Sequence, residues 1–113
     1  MKFEEQIAGS VYIISVLVER ATLSDADEFK KIVNARIDEG YVNLIIDLSK
    51  VEYLDSTFLG NLVGLLKRSV RVDGDLKLVG FKPNVRSMFE LTRMFRVFES
   101  FSSVDEAVKS FNK

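Results

Sequence analysis

Asn43-Leu-Ile-Ile-Asp-Leu-Ser-Lys-Val-Glu-Tyr-Leu-Asp-Ser-Thr-Phe-Leu-Gly60 is the stretch on which the fold turns. Its opening, Asn43 to Leu48, contains the unbroken apolar run Leu44-Ile45-Ile46, the pattern of a strand buried on both faces. Ser49 to Thr57 is polar and reads as a loop. From Phe58 to Val72 apolar residues recur at helical spacing, with Lys67, Arg68 and Arg71 on the opposite side, so the order is strand, loop, helix.

Working outward, the same alternation continues. Phe3 to Ile7 and Val11 to Val18 are β-rich runs separated by Ala8-Gly9-Ser10, which predicts an antiparallel hairpin at the N-terminal end. Ser24, followed by Asp25-Ala26-Asp27-Glu28 and a stripe of Ala26, Phe29, Ile32, Val33 and Ile37 ending at Gly40, predicts a capped helix over 24–38. Downstream, Asp73-Gly74 makes a turn and Leu76 to Val79 a short strand. Pro83 opens a helix over 84–91, a weak strand lies near Val97, and Ser103 caps a last helix over 103–111. Together with a second helix over 57–72, these elements predict one α/β domain spanning residues 1–113. It has a central mixed sheet, the hairpin at its start and about four flanking helices.

Composition narrows function. In 113 residues, 47% apolar and 29% charged content support one packed core, and a net charge of -1 gives no reason to expect nucleic acid as a partner. The apolar runs are shorter than the ~20 residues of a membrane span and the first residues are acidic, so a cytoplasmic protein without a membrane partner is expected. Cysteine and histidine are both absent. Disulfides, thiolate or imidazole metal sites, cysteine nucleophiles and a Ser-His-Asp relay are thereby excluded, and neither a metal, a cofactor nor catalysis is expected.

Loops beyond the carboxyl ends of the strands gather function in such sheets, and Asp47 to Gly60 places two hydroxyls where a helix begins and its first N–H groups lie open. Asp47-Leu48-Ser49, Tyr53-Leu54-Asp55-Ser56-Thr57 and Leu59-Gly60 resemble the signature of STAS domains, specifically bacterial anti-sigma factor antagonists, and the likeness runs through the order of elements over essentially the whole chain. The resemblance implies that Ser56 is phosphorylated by an anti-sigma factor that is also a serine kinase. It implies further that the unphosphorylated form sequesters that partner and frees the sigma factor, and that a separate serine phosphatase resets the switch. Two positions depart from the family pattern. Phe58 replaces the usual glycine, which predicts a bulky ring beside the switch, and Glu19-Arg20-Ala21-Thr22 replaces Gly-x-Leu-Asp, with Thr22 standing where an acid is expected.

The expected partner surface is Thr22, Leu23, Ser24, Asp55, Ser56, Thr57 and Asn61, with Asn61 an exposed polar side chain one turn into the helix. Simpler readings stand beside this one. Ser56 or Thr57 alone reads as a helix N-cap, Asp55 as a turn-stabilising acceptor, and Gly60 and Gly64 as a smooth face that brings the helix close to the sheet, though it could also admit a partner. Phe89, Phe95, Phe98 and Phe101 read as core, and Arg86, Arg93 and Arg96 as a solvated basic face. Two rivals remain: a STAS scaffold or transporter-associated subunit without a phosphoswitch, and a receiver-like domain using Asp47 and the Lys82-Pro83 step. The receiver lacks its early acid pair, since Glu4 and Glu5 precede the first strand.

Overall fold

The computed structural model describes residues 1–112. Leu44, Ile45 and Ile46 are fully buried in β4 (Asn43–Asp47), which lies between and parallel to β2 (Val11–Val16) and β6 (Asp75–Val79). Their alternation divides the core in two. Leu44 and Ile46 point to the larger cluster, with Tyr12, Ile14, Phe29 and Leu62, while Ile45 points to a smaller one with Val11, Ile13, Val79 and Ala107.

The five-stranded sheet has the order β1-β2-β4-β6-β7, with β1 (Phe3–Ala8) antiparallel to β2 and β7 (Ser100–Phe101) parallel to β6. Helices α1 (Leu23–Asp38), α2 (Ser56–Arg71) and α3 (Pro83–Leu91) supply the larger cluster; α4 (Val104–Phe111) supplies the smaller one on the other face. This is the mixed sheet with an N-terminal hairpin and four helices that the periodicity predicts. The last helix is capped as expected, Ser103 Oγ accepting from the Glu106 N–H at 3.2 Å. Under α4, Lys77 is only 6% exposed; its ammonium donates to Ser110 Oγ at 2.7 Å and lies 4.1 Å from the centre of the Phe111 ring.

Three local expectations are corrected. The weak strand near Val97 is instead a short 3-10 turn, Met94–Arg96, entered through a left-handed Arg93 (φ 59°), and the strand follows at Ser100–Phe101. Burial of Phe98 beside Phe89 delays it, and pairing begins only where the Leu78 N–H reaches the Glu99 carbonyl. The strand expected over Val11 to Val18 stops at Val16, and a separate two-residue strand, β3 (Arg20–Ala21), pairs in parallel with β5 (Tyr53–Leu54). Finally, α1 begins before Ser24: Thr22 is its N-cap, through its carbonyl rather than its side chain.

The aromatic cluster is core, as read. Phe89 and Phe98 are buried, and Phe81 and Phe95 pack on Phe89 with ring centres 5.0 and 5.6 Å away. Phe101 joins the smaller cluster. Gly80 adopts φ +73°, and a Cβ there would lie 2.7 Å from that of Ser49, so this close approach of β6's end to the 47–49 turn requires glycine.

One charged link ties the hairpin to α1. Glu5 Oε1 accepts from Tyr12 OH at 2.8 Å and from Arg36 Nε at 2.7 Å; the guanidinium holds the Glu5 carboxyl below its ordinary value, while burial pushes the Tyr12 phenol up. A depressed folded-state carboxyl contributes stability above its unfolded pKa and loses it as pH falls through the folded value. Melting curves should therefore show wild type losing stability faster than Glu5→Gln between about pH 5 and pH 3. Equal acid slopes would contradict this link.

Candidate partner-binding site

The short β3–β5 ladder builds the site. The Glu52 and Tyr53 N–H groups donate to the Glu19 carbonyl at 2.8 and 3.0 Å, and the Asp55 N–H donates to the Ala21 carbonyl at 3.1 Å, so the loop after β4 runs alongside the loop after β2. The starts of α1 and α2 thereby come together. Asp55 then joins them: as N-cap of α2, its Oδ1 accepts from the Phe58 N–H at 2.9 Å, while its Oδ2 accepts from the Leu23 N–H at 2.8 Å across 32 residues of sequence. One carboxylate thus serves the open N–H groups of two helices, and its negative charge sits at the positive end of both.

The cap position accordingly belongs to Asp55, and Ser56 and Thr57 are the first two residues of α2, both exposed. Neither residue is needed for the cap, and both stand open to solvent. Around them lie Leu23, 68% exposed, and Tyr53, 40% exposed, with the Arg20 guanidinium 4.4 Å from the Tyr53 ring centre. Thr22 Oγ1 and Ser24 Oγ share a hydrogen bond of 3.0 Å. Exposed Leu23 and Tyr53, with an arginine stacked on the aromatic ring and hydroxyls nearby, are residue types that protein-docking surfaces favour.

Three readings of single residues change. Phe58 does not put its ring at the surface beside Ser56: it is fully buried and stacked on Phe29 with ring centres 4.7 Å apart. As the third residue of α2 it lies on the helix's inward face, and the space between α1 and α2 takes the ring. Asn61 is not a free polar contact; its Nδ2 donates to the Ala26 carbonyl at 2.7 Å and bridges the two helices. Gly60 and Gly64 do not serve close packing, because a Cβ built at either meets no other part of the protein within 4 Å. They front an open groove between α1 and α2.

The receiver-like arrangement is not assembled. Asp47 Oδ1 accepts from the Ser49 N–H at 2.9 Å, and Lys82 pairs with Glu52 at 3.3 Å rather than with Asp47. Arg86, Arg93 and Arg96 are exposed, the Arg86 guanidinium lying over Phe81 and Phe95. Among the described residues no helix is long and apolar enough to cross a membrane.

Comparison with known proteins gives a consistent result. A family model described as STAS domain matches residues 6–107. A Bordetella bronchiseptica protein, BtrV, provisionally named an anti-sigma factor antagonist, is 26% identical over 99 residues, covering 88% of this chain and 85% of its own. The anti-sigma-B factor antagonist of Staphylococcus aureus is 31% identical over 65 residues, 58% of this chain and 60% of its own. A crystal structure of a Thermotoga maritima protein, provisionally described in the same terms, superposes with a TM-score of 0.92 at 28% identity, covering 98% of this chain and 95% of that one.

Two stability measurements check the geometry. Asp55→Ala should cost about 1–2 kcal/mol in chemical denaturation, and Asp55→Asn, which keeps one acceptor oxygen, less. Gly60→Ala and Gly64→Ala should each raise stability, by up to ~1 kcal/mol, because alanine lowers the helix cost and the added methyl meets nothing. Destabilisation by either alanine would show that the glycines do serve packing.

Proposed function

The chain belongs to the STAS domain family, and on that premise we propose that it is an anti-sigma factor antagonist whose binding is switched off by phosphorylation of Ser56. What supports the reading is the exposed Ser56 hydroxyl at the first position of α2, beside an aspartate already committed to holding the helix starts together. The names of two relatives, BtrV and the Staphylococcus aureus protein, point to the same role.

Unphosphorylated, the chain sequesters an anti-sigma factor in the cytoplasm, and the sigma factor is released. The anti-sigma factor is also the kinase: it transfers the terminal phosphoryl group of ATP to Ser56 Oγ, the hydroxyl proton is lost and ADP leaves. A serine phosphatase later hydrolyses the ester. The chain contributes an acceptor and a docking surface but no catalysis, so with ATP and Mg²⁺ alone it should stay unmodified. Autophosphorylation, or transfer to Asp47 from a small acyl phosphate, would favour the receiver reading instead.

Electrostatics account for a switch that spares the fold. A phosphate adds roughly -1.5 to -2 charges at neutral pH. Within the free domain, the N-terminus of α2 favours an anion at its first residue, and the Asp55 oxygens already face N–H donors. In the complex the same dianion must shed water against a surface shaped for a neutral hydroxyl, and an unpaired buried charge costs several kcal/mol.

The test begins with co-purification of the tagged chain from its native cell, followed by titration of the recovered anti-sigma factor. Wild type and Ser56→Ala should bind, whereas Ser56→Asp and the phosphorylated protein should bind weaker by orders of magnitude with melting temperatures little changed. Recovery of a membrane transport complex instead, phosphate on Thr57, or tight binding by a folded Ser56→Asp protein would each contradict the proposal.

A further inference from the structure

We infer that the anti-sigma factor docks beyond the switch itself, inserting an apolar side chain with a nearby carboxylate into the groove between α1 and α2. This inference rests on the reading above and specifies the partner segment that the same surface takes. Two adjoining hollows, about 190 and 290 Å³, carry it. The first is bordered by Leu23 and Thr57 next to Ser56, the second is floored by Gly60, Gly64 and Leu65, and both are lined by Lys30 and Asn61. Sharing these two residues, the hollows adjoin from Thr57, the residue after Ser56, to the middle of α2.

Its chemistry selects the occupant. The floor is apolar and lacks side chains at two positions, which admits a partner side chain close to the backbone of α2. Lys30 on its wall is exposed and has no ion-pair partner among the described residues, whereas neighbouring Lys31 is paired with Asp27 and Arg68 with Asp38. An unpaired ammonium above an apolar floor fits a carboxylate set beside an aliphatic or aromatic side chain. A cationic segment would meet Lys30 with repulsion, and Asp27, the acid that lines the first hollow, is already paired with Lys31 at 3.1 Å.

The two glycines give the inference its distinctive test. Alanine at these positions favours the helix and touches nothing else in the chain, so a purely structural role leaves no reason for binding to fall when stability rises. The probe is the anti-sigma factor recovered with the tagged chain, titrated calorimetrically against wild type, Gly60→Ala/Gly64→Ala, Gly64→Leu, Lys30→Glu, Ser56→Asp and Lys109→Glu on the opposite face. The double alanine variant should melt higher yet bind roughly tenfold weaker, with Gly64→Leu weaker still. Lys30→Glu should lose affinity most at low salt, and Lys109→Glu should match wild type. If all groove variants bind within twofold of wild type while Ser56→Asp does not bind, the groove inference is overturned and the switch stands. If Ser56→Asp binds like wild type while the groove variants fail, the switch is overturned and the groove stands. A wild-type chain that binds no anti-sigma factor overturns both.

Discussion

The Asp55 carboxylate is the interaction on which the site depends. A helix start leaves several N–H groups without partners, and two helix starts side by side would also set like partial charges against each other. Placing one anion between them addresses both problems with a single side chain. Its reach to Leu23 is possible only because the β3–β5 ladder has already drawn the two loops together. With Asp55 as the cap, Ser56 and Thr57 are released from that duty and left open to solvent. An alanine at residue 55 would remove the acceptor and also the reason for the neighbouring hydroxyls to be available.

The rest of the fold supplies the rigidity that this arrangement needs. Residues 44–46, buried on both faces, fix β4, and the glycine at residue 80 lets the turn after it lie against the end of β6. Phe58 anchors the first turn of α2 by stacking on Phe29 of α1, so Ser56 stands on a helix start that is packed against its neighbour. The open glycines farther along α2 work in the opposite sense, giving up helix stability on a face that packs against nothing in the chain.

Elements with strong periodicity were legible in the sequence: the helix boundaries differ from expectation by about one residue, and the doubly buried strand and opening hairpin are where the pattern places them. The family was legible as well, through the run from Asp47 to Gly60. What escaped was tertiary. A two-residue ladder such as β3–β5 is too short to leave a periodic signal, and the acceptor for the Leu23 N–H at the start of α1 could not be read locally because it is the Asp55 carboxylate, 32 residues away. Phe58 was misplaced because its family position suggested the surface, whereas its helical phase points inward. Asn61 and the glycines were misjudged for a related reason: the width of the gap between α1 and α2 is set by packing, and sequence spacing does not report it.

In the proposed mechanism a phosphate at Ser56 acts at the partner interface and leaves the clamp between the helix starts intact. Hydrogen exchange of the Leu23 and Phe58 amides, the two donors to Asp55, measured by NMR in unphosphorylated and Ser56-phosphorylated protein, tests this most directly. Protection of both amides should be retained after phosphorylation. Loss of protection at either amide, with the remaining core amides unchanged, would contradict it and show that the phosphate works by opening the clamp.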